Sequence, residues 1–249
     1  MSGHSKWHSI KHKKGAADAK RGKLFAVLIR QIEVAARAGG GDPESNATLR
    51  TMVQKARDNS VPIDTIQRAI KRGTGEEEGV VYESVTYEGY APGGIAMLVQ
   101  ALTDNRNRTS AEVKNLFSRN GGSFAEPGAV SWQFERKGVV AVDKAVDEDE
   151  LMLVVADAGA DDVEDGGDSW QVTTPPTDLH AVRTAIEEGG YKVTSADLTM
   201  IPTTVVELSQ ENQAKSVLRL VDVLEEHDDV EAVYANFDIP DAVLEAVTS

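Results

Sequence analysis

Lys6, Lys11, Lys13, Lys14, Lys20, Arg21 and Lys23 crowd the first 23 residues, with Trp7, His4, His8 and His12 among them. Cations of this kind neutralise phosphates and release condensed counterions, and an aromatic ring between them can stack on an exposed base. A solubilising tail would carry the lysines without the tryptophan, so the segment predicts a nucleic-acid contact. The histidines recur every four residues, which on a helix would align three imidazoles for a metal. Gly3 and the surrounding lysines oppose both the helix and a divalent cation, and no carboxylate stands nearby to complete a site. The expectation is therefore no metal and no cofactor, with the rings available to RNA bases instead.

Two further clusters could hold anions. Arg68, Lys71 and Arg72 sit together near the end of a helical pattern, and ARDNSVP before them could be the corner of a helix-turn-helix with residues 63 to 72 as its second helix. These side chains suit phosphates at least as well as base edges, and a two-helix corner in a bundle reads the same way. Asn105, Arg106, Asn107 and Arg108 lie between a strand end and a helix. They could clamp a phosphate or a carboxylate, or cap the helix and pair with acids elsewhere. DDVEDGGD superficially resembles a calcium loop but puts Val163 at the third ligand position and Val172 at the twelfth, so it reads as a solvated acidic face. GxxxxGK[ST], GxGxxG after a strand, GxSxG and HExxH are all missing, and the chain reads as a non-enzyme.

The charge is divided along the chain. Residues 1–75 hold 15 Lys/Arg and 6 Asp/Glu, a balance of +9, whereas residues 76–249 hold 11 against 35, a balance of −24. The formal net charge of −15 thus averages two regions of opposite sign, and the acidic part would orient the basic one toward a polyanion. The 249 residues, 41% of them hydrophobic, suffice for two or three domains. There is no cysteine, which removes disulfides and thiolate chemistry and fits a reducing compartment. No apolar run reaches spanning length, and the basic start has no apolar stretch behind it, so a cytoplasmic mature protein without a membrane partner is expected.

The elements that must position these residues follow from periodicity. Residues 1–22 show none and predict an extended or mobile arm. From Leu24, Phe25, Leu28, Ile29, Ile32 and Ala36 form one apolar face, with Lys23, Arg30 and Arg37 opposite. Gly39 to Gly41 stop that helix. Asp42 before Pro43 predicts an N-cap for a second helix burying Leu49, Met52, Val53 and Ala56. A third buries Ile63, Ile66 and Ile70 and stops at Gly73, giving a three-helix bundle. VVYESVTYEGY and GIAMLVQALT predict strands joined through APGG, followed by a helix through Val113, Leu116 and Phe117 and a strand at GAVSWQFE. Residues 137–201 then read strand, helix, strand, strand, helix, strand, the ferredoxin-like order. The final stretch, strand TTVVEL, helix Gln213–Glu226 and strand EAVYANFD, is too short for a domain and is expected to complete the sheet begun near residue 80. The fold class is α+β with three domains: 1–78, basic arm and bundle; 79–136 plus 202–249, a discontinuous α+β domain; 137–201, an acidic ferredoxin-like insertion.

SGHSKWHSIKHKKGAADAKRGKLF, IKRGTGE, YEGYAPGG, LTDNRNRT and GGSFAEPGAVSW closely resemble, in order, the YebC/PmpR family, which includes the mitochondrial translational activator of cytochrome c oxidase. The likeness runs from residue 2 to about 135. Ala91 and Ala125 stand where the family usually has Gly, and Ala47-Thr48 replace a common Pro-Arg. The resemblance implies the same three domains and two descriptions of function: a DNA-binding transcriptional regulator, or a ribosome-associated factor that relieves stalling at sequences such as proline runs. The arm suits rRNA of the large subunit better than a duplex, because no clear base-reading helix is present. A protein-interaction module taking an acidic peptide at Asn105–Arg108 is a third expectation. Self-association is not readable from the sequence.

Overall fold

The computed structural model describes residues 17–248, with side chains from Gly22 to Val247. His4, Lys6, Trp7, His8, Lys11, His12, Lys13 and Lys14 lie outside the described residues. Helix α1 spans Ala17–Gly39, so it begins well before Leu24 and takes in Lys20, Arg21 and Lys23, which the sequence reading left wholly or partly to the arm. AADAK contains good helix formers, and once Leu28 and Ile32 are fully buried below it the first turns propagate at little cost.

Helices α2 (Ala47–Asp58) and α3 (Ile63–Thr74) complete the bundle. The N-cap of α2 is Asn46 rather than Asp42. Its Oδ1 accepts the Leu49 N–H at 3.0 Å while its Nδ2 donates to the Ala35 and Gly40 carbonyls, both at 2.9 Å. Asp42 instead closes the turn before it, accepting the Glu44 N–H. One asparagine thus starts α2 and ties it to the end of α1. Ile66, Ala69 and Gly73 line the buried face of α3, but Ile63 in its first turn is 61% exposed.

Strands β1 (Glu83–Ala91) and β2 (Ile95–Thr103) form the expected hairpin, closed by Gly93 and Gly94 with φ of 85° and 76°. Helix α4 (Arg106–Arg119) leads to β3 (Ser123–Ala125) and a 3-10 turn at Ser131–Gln133. β4 (Phe134–Asp143) is one strand where the sequence suggested two, GAVSWQFE and GVVAV, and the first of these is mostly turn. α5 (Glu148–Ala156), β5 (Asp162–Asp165), β6 (Ser169–Thr174), α6 (Leu179–Glu188) and β7 (Val193–Pro202) follow. The antiparallel sheet β5-β6-β4-β7 has the strand order of a ferredoxin-like unit. β4 and β7 pair from Phe134↔Pro202 to Val142↔Val193, so residues 136/137 and 201/202 fall inside strands and a continuous ribbon joins this sheet to the rest.

β8 (Val206–Glu207), α7 (Glu211–Glu226), β9 (Val230–Ala235), β10 (Phe237–Asp238) and α8 (Asp241–Thr248) close the chain. β9 joins β2 to give the sheet β3-β1-β2-β9, as expected for a returning segment. β8 does not join it; it pairs in parallel with β10 as a separate two-stranded piece, and α8 was not foreseen. One face of the large sheet, with Met97 and Val99, packs under α4, α7 and α8. The opposite face, with Ala96 and Leu98, packs on Val130 and Phe134. The fold is mixed α+β: a helical N-terminal bundle followed by two sheet-containing cores.

Candidate nucleic-acid interface

The bundle sorts its cations into occupied and exposed ones. Arg72 donates from Nε to Glu33 Oε1 at 2.7 Å, and Glu33 is only 5% exposed, so this pair closes α3 on α1. Arg50 donates to the Pro43 and Glu44 carbonyls and holds the turn before α2. Lys55 reaches Asp197 at 2.7 Å and Arg183 reaches Asp58 at 2.8 Å, joining α2 to the ferredoxin-like unit. Arg37, Arg57, Arg68 and Lys71 remain exposed on the bundle surface, with Arg68 making a 3.3 Å contact to the Asp64 carbonyl on its own helix. The first turn of α3 offers Ile63, Asp64 and Thr65, which is a poor set for reading base edges.

Lys23 points into the molecule. Its ammonium donates to the carbonyls of Glu225 and His227 (the latter at 2.7 Å), which crown the C-terminal end of α7 where the helix dipole is negative. Partial burial pulls its pKa down against the raising influence of Asp228, Glu225 and Glu226. Arg30 follows two turns later, donating to the Asp228 carbonyl at 2.9 Å and lying 5.2 Å from the Tyr82 ring centre. Gln31 bonds Glu231. One edge of α1 is therefore fastened to the segment 225–231.

The Asn105–Arg108 cluster is mostly helix start. Asn105 is the N-cap of α4, accepting the Arg108 N–H at 3.1 Å, and Arg106, Asn107 and Arg108 form the first turn. Arg108 bonds Asp104 at 2.9 Å and Asp229 at 2.7 Å; Thr109 Oγ1 also donates to Asp229 at 2.7 Å. Burial pushes the Asp229 carboxyl pKa up, but these bonds and the nearby charge of Arg108 outweigh it and hold it below the usual range. Arg106 and Asn107 are exposed. Glu112, His227 and Asp229 cluster closely enough to suggest a metal, yet their donor atoms are used. His227 Nδ1 accepts the Asp229 N–H at 3.1 Å, which leaves Nε2 facing Glu112 at 2.8 Å, and Asp229 is neutralised by Arg108. This is a self-satisfied ion-pair network. It joins residues 120 positions apart, and no local signal in the sequence could have found it.

The loop after β3 was likewise hidden. Glu88 on β1 is 6% exposed and accepts the backbone N–H groups of Gly128, Val130 and Ser131 at 2.7, 2.7 and 2.9 Å. Tyr90 adds a bond to the Ala129 carbonyl, and Gln133 bonds Asn236 and accepts from Thr203. Held by these contacts, Trp132 is 72% exposed. The signal was the acid in YEGY and the proline and glycine of AEPGAVSW, a turn that the strand reading overlooked.

The described residues thus form a helical bundle with exposed cations, joined to two α+β units. Residues 5–76 match the TACO1/YebC protein N-terminal domain, and residues 82–237 match the TACO1/YebC second and third domain. The chain belongs to the TACO1/YebC family. A probable transcriptional regulatory protein of Halothermothrix orenii is 53% identical over 100% of this chain and 99% of its own length. One of the same description from Thermobifida fusca is 55% identical over the whole of both chains. The crystal structure of a conserved hypothetical protein from Aquifex aeolicus superposes with a TM-score of 0.84 at 47% identity, covering 93% of this chain and 96% of the other. Curated relatives are thus named as regulators rather than enzymes. Among the described residues, no helix is long and apolar enough to cross a membrane.

Proposed function

We propose that this chain is a non-enzymatic nucleic-acid-binding factor that docks on rRNA of the large ribosomal subunit through its basic N-terminal segment and acts in translation in the cytoplasm. The observation that carries this reading is the charge division, +9 over residues 1–75 against −24 beyond. Lys6, Trp7, His8, Lys11, His12, Lys13, Lys14, Lys20 and Arg21 are the contacts, with Arg68 and Lys71 as exposed cations on the bundle. Lys23 and Arg72, counted among the contacts on sequence, have partners within the molecule and on this reading position the bundle. Arg106 and Asn107 form a second, smaller contact, with Asn105 and Arg108 holding the helix that presents them. The chain works as three units, 1–78, 79–136 with 202–249, and 137–201, and the acidic third keeps polyanions at the basic end.

A DNA-binding transcriptional regulator is the second reading, and the names of the relatives favour it. Co-sedimentation with ribosomes over a salt series, with excess duplex DNA as competitor, separates the two. Phosphate-mediated docking is expected to weaken steeply between about 50 and 200 mM salt and to survive the DNA. Transfer of the protein from ribosomes to DNA would favour the regulator. Replacing Lys11, Lys13 and Lys14 with Glu is expected to abolish ribosome association, and undiminished association would overturn the assignment of the arm.

A further inference from the structure

We propose that Trp132 is a stacking platform for one unpaired nucleobase of a single-stranded nucleic acid; the inference rests on the nucleic-acid reading above. Leaving an indole 72% exposed forgoes much of the burial that makes aromatics dominate cores and interfaces. The surrounding loop is nevertheless fixed at unusual expense. A buried carboxylate, Glu88, is committed to three of its N–H groups, Tyr90 bonds the Ala129 carbonyl at its middle, and Asn236 holds Gln133 at its far end. The tryptophan is therefore presented in a set position, and a partner that uses it need not first order it.

The chemistry narrows the partner. The indole N–H is already donated to the Ala129 carbonyl at 3.1 Å, so the side chain has aromatic surface to offer and no directional bond. Every base has a π-face, and base–aromatic stacking needs nothing else. Val130 and Phe134 beside it in the chain are buried, and the exposed chain neighbours, Glu126, Pro127, Gly128 and Glu135, are small or acidic, unlike the apolar centre of a protein-docking patch. Two of them would repel a phosphate backbone, which leaves room for a base that reaches in from a strand held elsewhere. A duplex keeps its bases stacked inside and could not supply one.

Position points the same way. Ala96 and Leu98 of β2 pack on Val130 and Phe134 beside the platform. Gln100, next on the same face of that strand, lines a crevice with Leu24, Leu28 and Gln31 of α1. Platform and α1 thus share one face of the large sheet, and the basic segment leads directly into α1.

Fluorotryptophan incorporated into the full chain labels its 3 tryptophans, Trp7, Trp132 and Trp170, and a Trp132→Phe sample assigns the relevant fluorine signal. Titration with an oligouridylate of about twelve nucleotides, within the range of single-strand site sizes, is expected to shift the Trp132 signal and leave that of Trp170 in place. Trp132→Ala is expected to weaken oligouridylate binding about tenfold with an unchanged melting temperature, and Trp132→Phe to restore most of it. An unmoved Trp132 signal with undiminished binding by Trp132→Ala would overturn the platform and leave the basic segment's role standing. An equal shift with a duplex of the same length would overturn the single-strand assignment. Failure of the full chain to bind either nucleic acid would overturn the platform together with the reading beneath it.

Discussion

Glu88 fixes the loop that follows β3. Burial pushes its pKa up, but the N–H groups of Gly128, Val130 and Ser131 outweigh this and hold the carboxyl below the usual range. Glu88→Gln keeps the shape, loses the charge and turns an amide hydrogen toward at least one N–H donor. We expect a loss of about 1–3 kcal/mol at neutral pH, measured by urea denaturation. Because the folded-state pKa is the lower one, the stabilisation is fully present above the unfolded value of about 4.3 and disappears as pH falls through the folded value. The difference between the two proteins should therefore shrink below about pH 4; a constant gap would mean that the charge contributes nothing.

At the scale of elements, the α1–α3 contact is made by small residues. A Cβ added to Gly73 would lie 2.5 Å from the Glu33 carbonyl oxygen and 2.7 Å from the Ala36 Cβ. Backbone on one side and helix on the other leave no flexible end to yield, and the half-buried Arg72–Glu33 pair is next to the contact. Gly73→Ala is expected to cost about 1–3 kcal/mol by overpacking, although alanine is the better helix former. A thermal melt that rises instead would show that α3 docks loosely. Of the expected stripe, Ile66 is buried and Ile70 packs against the bundle core, while the closest approach is set by Ala69 and Gly73 and Ile63 is left exposed.

At the scale of the molecule, the bundle is attached largely through polar groups. Lys23, Arg30 and Gln31 meet the 225–231 segment, and Lys55–Asp197 and Arg183–Asp58 meet the ferredoxin-like unit. Partly exposed ion pairs are weak and screened, with a Debye length of about 10 Å at 0.1 M salt shortening to about 3 Å at 1 M. The connection through residues 76–81, EEEGVV, is exposed throughout. Raising salt from about 0.1 to 1 M should speed proteolytic cleavage there severalfold while the three cores stay folded by circular dichroism. Cleavage that does not change with salt would mean that the apolar residues lining the crevice, Leu24, Val27 and Met200, hold the bundle by themselves.

Much was legible in the chain because it is local. Helical periodicity, the APGG hairpin, the ferredoxin-like order and the two-signed charge each arise within a few residues or by counting, and the family motifs are contiguous. The boundaries were less legible: Asp42-Pro43 resembles a cap as strongly as Asn46 does, and only contact with Ala35 and Gly40 selects Asn46. The fate of individual charges was not legible at all. Arg108, Lys23 and Arg72 look as available in the sequence as Arg68 and Lys71, yet their partners lie 121, 202 or 204, and 39 residues away. Sequence by itself determined most of the helices and strands, the order of the ferredoxin-like unit and the two-signed charge of the chain. Tertiary structure alone decided which cations are already neutralised, that β8 leaves the main sheet, and that a buried glutamate presents an exposed tryptophan, because each of these depends on groups brought together by closing long loops rather than by neighbouring residues.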